Sequence, residues 1–393
     1  MPVRLGRWPR LLPVIATTAA VAGLGLPPGT AAASSHRVPA NHWRVVARSD
    51  SALNTIVAPS ATSAWAMGTK AGAHNAALPA GVHWNGRSWS AAAFPEAVAS
   101  GIGCSGASSP GNVWAFAGAS IFGGSASYAG ALRLSGGKWV VDHAFTPPGL
   151  VSGCSVFSPT DAWVYGLTHV APGVGTWRLK GRTWKPVHTP NFYLVTASAV
   201  SASDIWAIAA GPTGLDNVVA HWNGRAWRRN KALDAVLPPP SATVTPTITA
   251  INAVSAGNVW LSAEVDRQTG PAAGVSHLVL HLSGGIWHKV GPANVGYYLP
   301  GAVSDGHGGW WAIGPPAPLP PAVPAAPLPA RPYLLHETRG HWLPVALPVV
   351  PGYVLQVIGL AHVPGSGAML AIGELYNGLA GLHSAVLAYG NLK

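Results

Sequence analysis

The chain has 393 residues, 49% of them hydrophobic and only 9% charged, against about 25% charged in an average soluble domain. Its 48 glycines and 37 prolines favour short elements joined by turns over long helices. The formal charge of +11 reflects a shortage of acids, 12 in all, and Arg228, Arg229 and Lys231 form the one tight basic cluster, so no nucleic-acid partner is expected.

In chain order, the first element is a targeting segment. Arg4, Arg7 and Arg10 precede the apolar run "LLPVIATTAAVAGLGL", and "TAAAS" offers a small-residue cleavage site near Ala33. Residues 1–33 therefore read as a signal peptide, and residues 34–42 as a short lead into the folded part. The run is short for a membrane span, and no second long apolar run follows. The mature chain is expected to be secreted, with no membrane association after cleavage. Losing the three arginines lowers the charge to +8. That excess suits loose, salt-sensitive attraction to an anionic wall polymer.

From Trp43 onward two motifs alternate. The first is Trp-initiated and ends on a small residue: "WAMG" at Trp65, "WAFA" at Trp114, "WVYG" at Trp163, "WAIA" at Trp206, "WLSA" at Trp260 and "WAIG" at Trp311, with "LAIG" at Leu370 as a seventh copy. Five copies carry Ser five residues earlier. Two residues before the Trp stand Ser63, Asn112, Asp161, Asp204 and Asn258, side chains that close tight turns onto their own backbone. The second motif is a polar turn ending in Trp, at Trp43, Trp89, Trp139, Trp184, Trp227, Trp287 and Trp342. Six of these have His or Arg six residues earlier: His83, Arg133, Arg178, His221, His281 and His336. One such residue per repeat predicts hydrogen bonding to a neighbouring turn or blade, not a converging metal site.

The period is near 50 residues, the size of a four-stranded propeller blade. One unit reads as the strands "LNTIVAPS", "AWAMG", "AGVHW" and "SWSAAA", with "NGR" as the last hairpin turn. The heptapeptide "HWNGRSW" (83–89) and its near-copy "HWNGRAW" (221–227) are then the same outer hairpin in two blades. The chain starts with a lone fourth-strand motif at Trp43 and ends with "SAVLAYGN", a third strand lacking its fourth. Joined, they complete a seventh blade and leave no open edge. The expectation is an all-β, seven-bladed β-propeller, a single domain over residues 43–393. Its two tryptophans per blade are packing residues.

The residues "WAMG", "HWNGRSW", "WAIA" and "HWNGRAW" resemble those of secreted bacterial β-propeller proteins with W-A-V-G … H-W-N-G-x-x-W repeats. The resemblance covers the chain from Trp43 to its end and implies the fold and an extracellular setting; it carries no catalytic residues across. Residues 304–314 and 365–373 depart from the pattern, and neither a sialidase Asp-box nor a G-H…W-D pair is present.

Cys104 and Cys154 lie one repeat apart on successive innermost strands. Their offsets from Ser109 and Ser158, five and four residues, place them on opposite faces of neighbouring blades, as a bridge between blades requires. A disulfide is expected. No metal-ligand spacing appears, and neither metal nor cofactor is expected.

Function is expected on one face, where second-to-third-strand and blade-to-blade loops are long: 69–81, 230–247, 264–276 and the Pro-rich 314–332. The aromatics Phe94, Phe145, Phe192, Tyr193, Tyr297, Tyr298 and Tyr353 mark its blade-to-blade loops, and Tyr193, Tyr297, Tyr298 and Tyr353 are the candidate ligand-facing set. The leading reading is a secreted, non-enzymatic, monomeric propeller that recognises a polysaccharide, a cell-wall polymer or an extracellular protein. The alternatives are a glycan-active propeller enzyme, a glycosidase or lyase with Glu264, Asp266 and Glu374 as candidate carboxylates, and a protein-docking scaffold. Convergence of two carboxylates in a pocket favours the enzyme, and dispersal favours binding.

Overall fold

The structure, a computed structural model, describes residues 42–119, 127–166, 175–211, 217–269, 274–291, 301–313, 333–376 and 383–392. The expected signal peptide, the Pro-rich segment 314–332, and Tyr297 and Tyr298 lie outside the described residues.

Alternating apolar positions in each repeat form four antiparallel strands, and seven such sheets result. In blade 1 these are an inner strand (Ala52–Ser60), a second (Ser63–Ala71), a third (Ala77–Trp84) and a short outer strand (Trp89–Ala91). The inner strands of blades 2 to 7 are Gly101–Ser109, Val151–Ser158, Tyr193–Ser201, Val244–Ser255, Ala302–Ser304 and Val354–His362. Blade 7 takes its outer strand from the other end of the domain: Arg44–Ser49 pairs antiparallel with the third strand, Ser384–Tyr389. The ring is thus a seven-bladed propeller closed as the two lone motifs predicted.

Local chemistry explains the repeated turns. In blades 1, 3 and 4 the serine that ends the inner strand closes the turn: Ser60 Oγ accepts the N–H of Thr62, Ser158 Oγ that of Thr160 and Ser201 Oγ that of Ser203. In the "WNGR" hairpins, Asn85 Oδ1 accepts the N–H groups of Arg87 and Ser88, and Asn223 Oδ1 those of Arg225 and Ala226. Gly86 and Gly224 sit at φ 89° and 87°, a conformation that requires glycine at this turn.

The tryptophans span the seams between blades. At five seams the second-strand ring meets the outer-motif ring of the next blade edge-on: Trp65 with Trp139 (5.1 Å between centroids), Trp114 with Trp184 (5.8 Å), Trp163 with Trp227 (6.0 Å), Trp206 with Trp287 (6.4 Å) and Trp311 with Trp43 (5.2 Å). Burying an aromatic removes roughly 150–250 Å² from water, so these contacts hold neighbouring blades together. Blades 2 and 3 are also joined covalently. Cys104 and Cys154, on adjacent inner strands with Cα atoms 5.9 Å apart, form the expected disulfide.

Two expectations need correction. Of the side chains two residues before the second-strand Trp, Asp161, Asp204 and Asn258 turn toward the third strand of their own blade instead of onto their own turn, and Asn112 bridges Ser108 and Trp114. Secondly, two of the expected long loops are largely strand. In blade 5 the second strand continues to Arg267 and the third begins at Gly274. The alternation of "AEVDR" persists beyond the small residue that was taken as the strand end. In blade 1 the segment 69–81 likewise continues both strands around a single turn of 3-10 helix, Ala73–Asn75.

Candidate functional site

The recurrent third-strand His or Arg is part of a built assembly. Its ring or guanidinium lies flat against the second-strand tryptophan: His83 on Trp65 at 3.8 Å, His221 on Trp206 at 4.2 Å, His281 on Trp260 at 4.0 Å, His336 on Trp311 at 4.2 Å and Arg178 over Trp163 at 5.0 Å. In blades 3, 4 and 5 its polar edge meets the residue that opens the second strand. Arg178 donates to both oxygens of Asp161, His221 Nε2 lies 2.8 Å from Asp204, and His281 Nε2 lies 2.9 Å from Asn258. These bonds run to residues at the neighbouring turn, one of the two partners expected, and stay within one blade. Burial lowers the pKa of His83, and that of His281 with the help of nearby His288, so both rings stay neutral at neutral pH. Every member is engaged with its own blade, and the assembly is structural. Among the described residues no cluster of three His, Cys, Asp or Glu side chains is placed to hold a metal.

The opposite face carries the predicted site residues, and it is shaped by strands that rise above the ring. In blade 5 the second strand, Asn258–Arg267, pairs on both sides, giving two rungs on one open face: Thr247–Glu264–His277 and Thr245–Asp266–Val275. Glu264 lies 3.5 Å from His277 Nδ1, both about two-fifths exposed. On the reverse face Val265 is fully buried. Blade 7 repeats the arrangement. Val354 pairs with Tyr376 and Gln356 with Glu374, while Leu355 and Leu375 point into the core. Val354 and Tyr376 are 69% and 49% exposed. The Tyr376 hydroxyl donates to Glu374, and that bond, with some burial, pushes its pKa up to about 12. Beside it the Tyr353 ring lies 5.8 Å from that of His383, whose Nδ1 is 3.1 Å from Asp50.

Glu264 and Asp266 thus project side by side from one strand face, and Glu374 stands two blades away. The three carboxylates do not face one another across a cleft, the arrangement that glycoside hydrolysis needs. Of the candidate aromatics, Tyr353 is half-buried at this face, whereas Tyr193, only 7% exposed, opens the inner strand of blade 4, and burial raises its pKa. Phe94 and Phe145 stack on or against Trp139 and Trp184 as core residues. Sequence reasoning missed Val354 and Tyr376. Continued alternation past Gly373 ("ELY") was the available signal.

Among the described residues no helix is long and apolar enough to cross a membrane. No protein-family model and no curated protein matches the chain. Solved structures do: YCF48 bound to D1 peptide, at 12% identity over 90% of this chain and 99% of that one, with a TM-score of 0.54. YCF48 from Cyanidioschyzon merolae follows, at 12% identity over 88% and 98%, with a TM-score of 0.51. At such identities the likeness is one of fold.

Proposed function

We propose that this propeller is an exported, non-enzymatic binding protein that engages an extended segment of a partner protein on the raised strands of blades 5 and 7. The observation that carries the reading is the pair of open sheet faces. Each sets exposed apolar side chains, Val275 in one and Val354 and Tyr376 in the other, beside carboxylates and hydroxyls. Mixed surfaces of this kind suit peptide recognition, with tyrosine supplying contact area at low entropic cost. The YCF48 structure with a bound peptide shares the fold and supports a peptide ligand. Export is supported by the leader-like amino terminus and by the disulfide, which persists in oxidising compartments. Glu264 and Asp266 share one open strand face and Glu374 stands two blades away, so no two are set opposite each other around a scissile bond, which argues against glycan cleavage.

The test is a displayed random-peptide library selected on the purified chain, with selected peptides measured again on Val354→Asp/Tyr376→Ala and on Glu264→Gln/Asp266→Asn. Peptides that lose affinity in either double variant support the reading. Selected peptides indifferent to both, or release of reducing ends from polysaccharides that disappears in the carboxylate variant, would overturn it.

A further inference from the structure

One seam of the ring holds a cleft that the peptide-binding reading does not use. At five seams the outer-motif tryptophan (Trp43, Trp139, Trp184, Trp227, Trp287) is covered by a second-strand tryptophan of the preceding blade and is 2–7% exposed. Between blades 7 and 1 the covering residue is Leu370, which packs in the same cluster as Trp89. Trp342 of blade 6 is half-buried, and so is Trp89 at this seam. Here a cleft of about 800 Å³ opens between the closing strand, Arg44–Ser49, and the third and outer strands of blade 1.

The lining is strongly biased in charge. Arg44, Arg48, Lys70 and Arg87 line the cleft, and no acidic residue does. Arg48, Lys70 and Arg87 are exposed; Arg44 also donates to the carbonyl of Gly390. Four cations around a half-exposed indole, in a chain with only 12 acids, call for an anionic occupant. Both backbone edges of the cleft resist an added peptide strand. The closing strand bulges between Val45 and Ala47, and a bulge blunts an edge. On the other side the N–H of Ala92 donates to the carbonyl of Gly81, so Gly81 turns its backbone groups outward. Pro79, two residues earlier on the same strand, turns the same way and has no N–H to offer.

We infer that this seam binds a linear polysaccharide with anionic sugar units. Guanidinium forks take the charged groups, and the Trp89 indole takes an apolar sugar face. The site lies on the rim of the ring, apart from the raised strands of blades 5 and 7, and either site can fail without the other.

The experiment measures binding of polygalacturonate, neutral dextran and poly-L-glutamate to the purified chain at low and at physiological ionic strength. Polygalacturonate is expected to bind and to weaken with salt, with dextran silent and polyglutamate markedly weaker. Arg48→Ala/Arg87→Ala, both at exposed positions, is expected to lower polygalacturonate affinity by about tenfold or more. Arg228→Ala/Lys231→Ala removes the same charge from the outer side of blade 4 and is expected to change it little. Equal loss in the two double variants would reduce the effect to diffuse charge and overturn the site. So would polyglutamate binding as tightly as the glycan, or the absence of polygalacturonate binding at low salt.

Discussion

The carboxylate of Asp305 occupies the space that a side chain at position 309 would need. A Cβ built on Gly309 would lie 2.5 Å from Asp305 Oδ2 and 2.4 Å from the carbonyl of Glu337. Gly309 stands two residues before Trp311, where four other blades carry Asp or Asn, and His336, stacked on Trp311, donates from Nε2 to Asp305 Oδ2 at 3.1 Å instead. Blade 6 has therefore moved the acceptor four residues upstream and emptied its old position. Gly309→Ala is expected to destabilise the chain by roughly 1–3 kcal/mol through overpacking, read as a lower denaturant midpoint. An unchanged midpoint would show that blade 6 absorbs the methyl group without strain.

This substitution also shows where the sequence was legible. Blade number, closure and the disulfide followed from spacing, because a ring of repeats needs the same residue types at the same places in each blade. The acceptor for each third-strand His or Arg was not legible, because Asp161 and Asn258 are turn formers by propensity and only the pairing of second and third strands brings them against Arg178 and His281. Blade 6 hid its acceptor altogether, since Asp305 lies outside the repeat register. The candidate site was half legible: Glu264 and Glu374 were found at equivalent places, but their carboxylates were read as loop residues while the strands in fact continue. The cleft at Trp89 was not legible, because Leu370, some 280 residues later, packs in the same cluster and only ring closure makes the two neighbours.

Acid should weaken the fold in two stages. Burial lowers the pKa of His83 and His281 below the ordinary 6.5. Each histidine contributes stability that is full above that value and lost as pH falls through the lowered one, because the unfolded chain takes up the proton first. Burial alone would raise the pKa of Asp305, but hydrogen bonds from the His307 N–H, His336 and the Gly309 N–H outweigh it and bring it below the ordinary 3.8. Its contribution is full above 3.8 and is lost only at lower pH. Melting temperature should therefore decline first below about pH 6.5 and again in the acid range. His83→Phe keeps an aromatic ring on Trp65 and should shrink the first decline; an unaltered slope would remove His83 from the account.

The disulfide ties adjacent inner strands 50 residues apart in sequence. Closing a loop of that size constrains the unfolded chain by about 4 kcal/mol. Cys104→Ala/Cys154→Ala should lower the denaturation free energy by a comparable amount. A reductant should bring the native protein to the same level and leave the variant unmoved. A reductant that shifts both equally would mean that the bridge adds nothing at equilibrium.

Closure by the amino-terminal strand is the contact with the greatest consequence. The third strand of blade 7, Ser384–Tyr389, is buried along its whole length, and Arg44–Ser49 covers its outer edge. Trp43 anchors that strand, edge-on to Trp311 at 5.2 Å and 5.6 Å from Tyr389, and is 3% exposed. Trp43→Ala removes a buried indole at the seam and should cost roughly 3–5 kcal/mol. Because the cost falls at the one place where the ring is held by a distant segment, the strand should also detach before the remaining blades unfold. Its departure bares an apolar edge that pairs readily with a second chain. The variant should therefore associate on size-exclusion chromatography under mild denaturant, while Trp139→Ala, at an interior seam, loses comparable stability and stays a single species. Identical behaviour of the two variants would mean that closure is no weaker than any other seam.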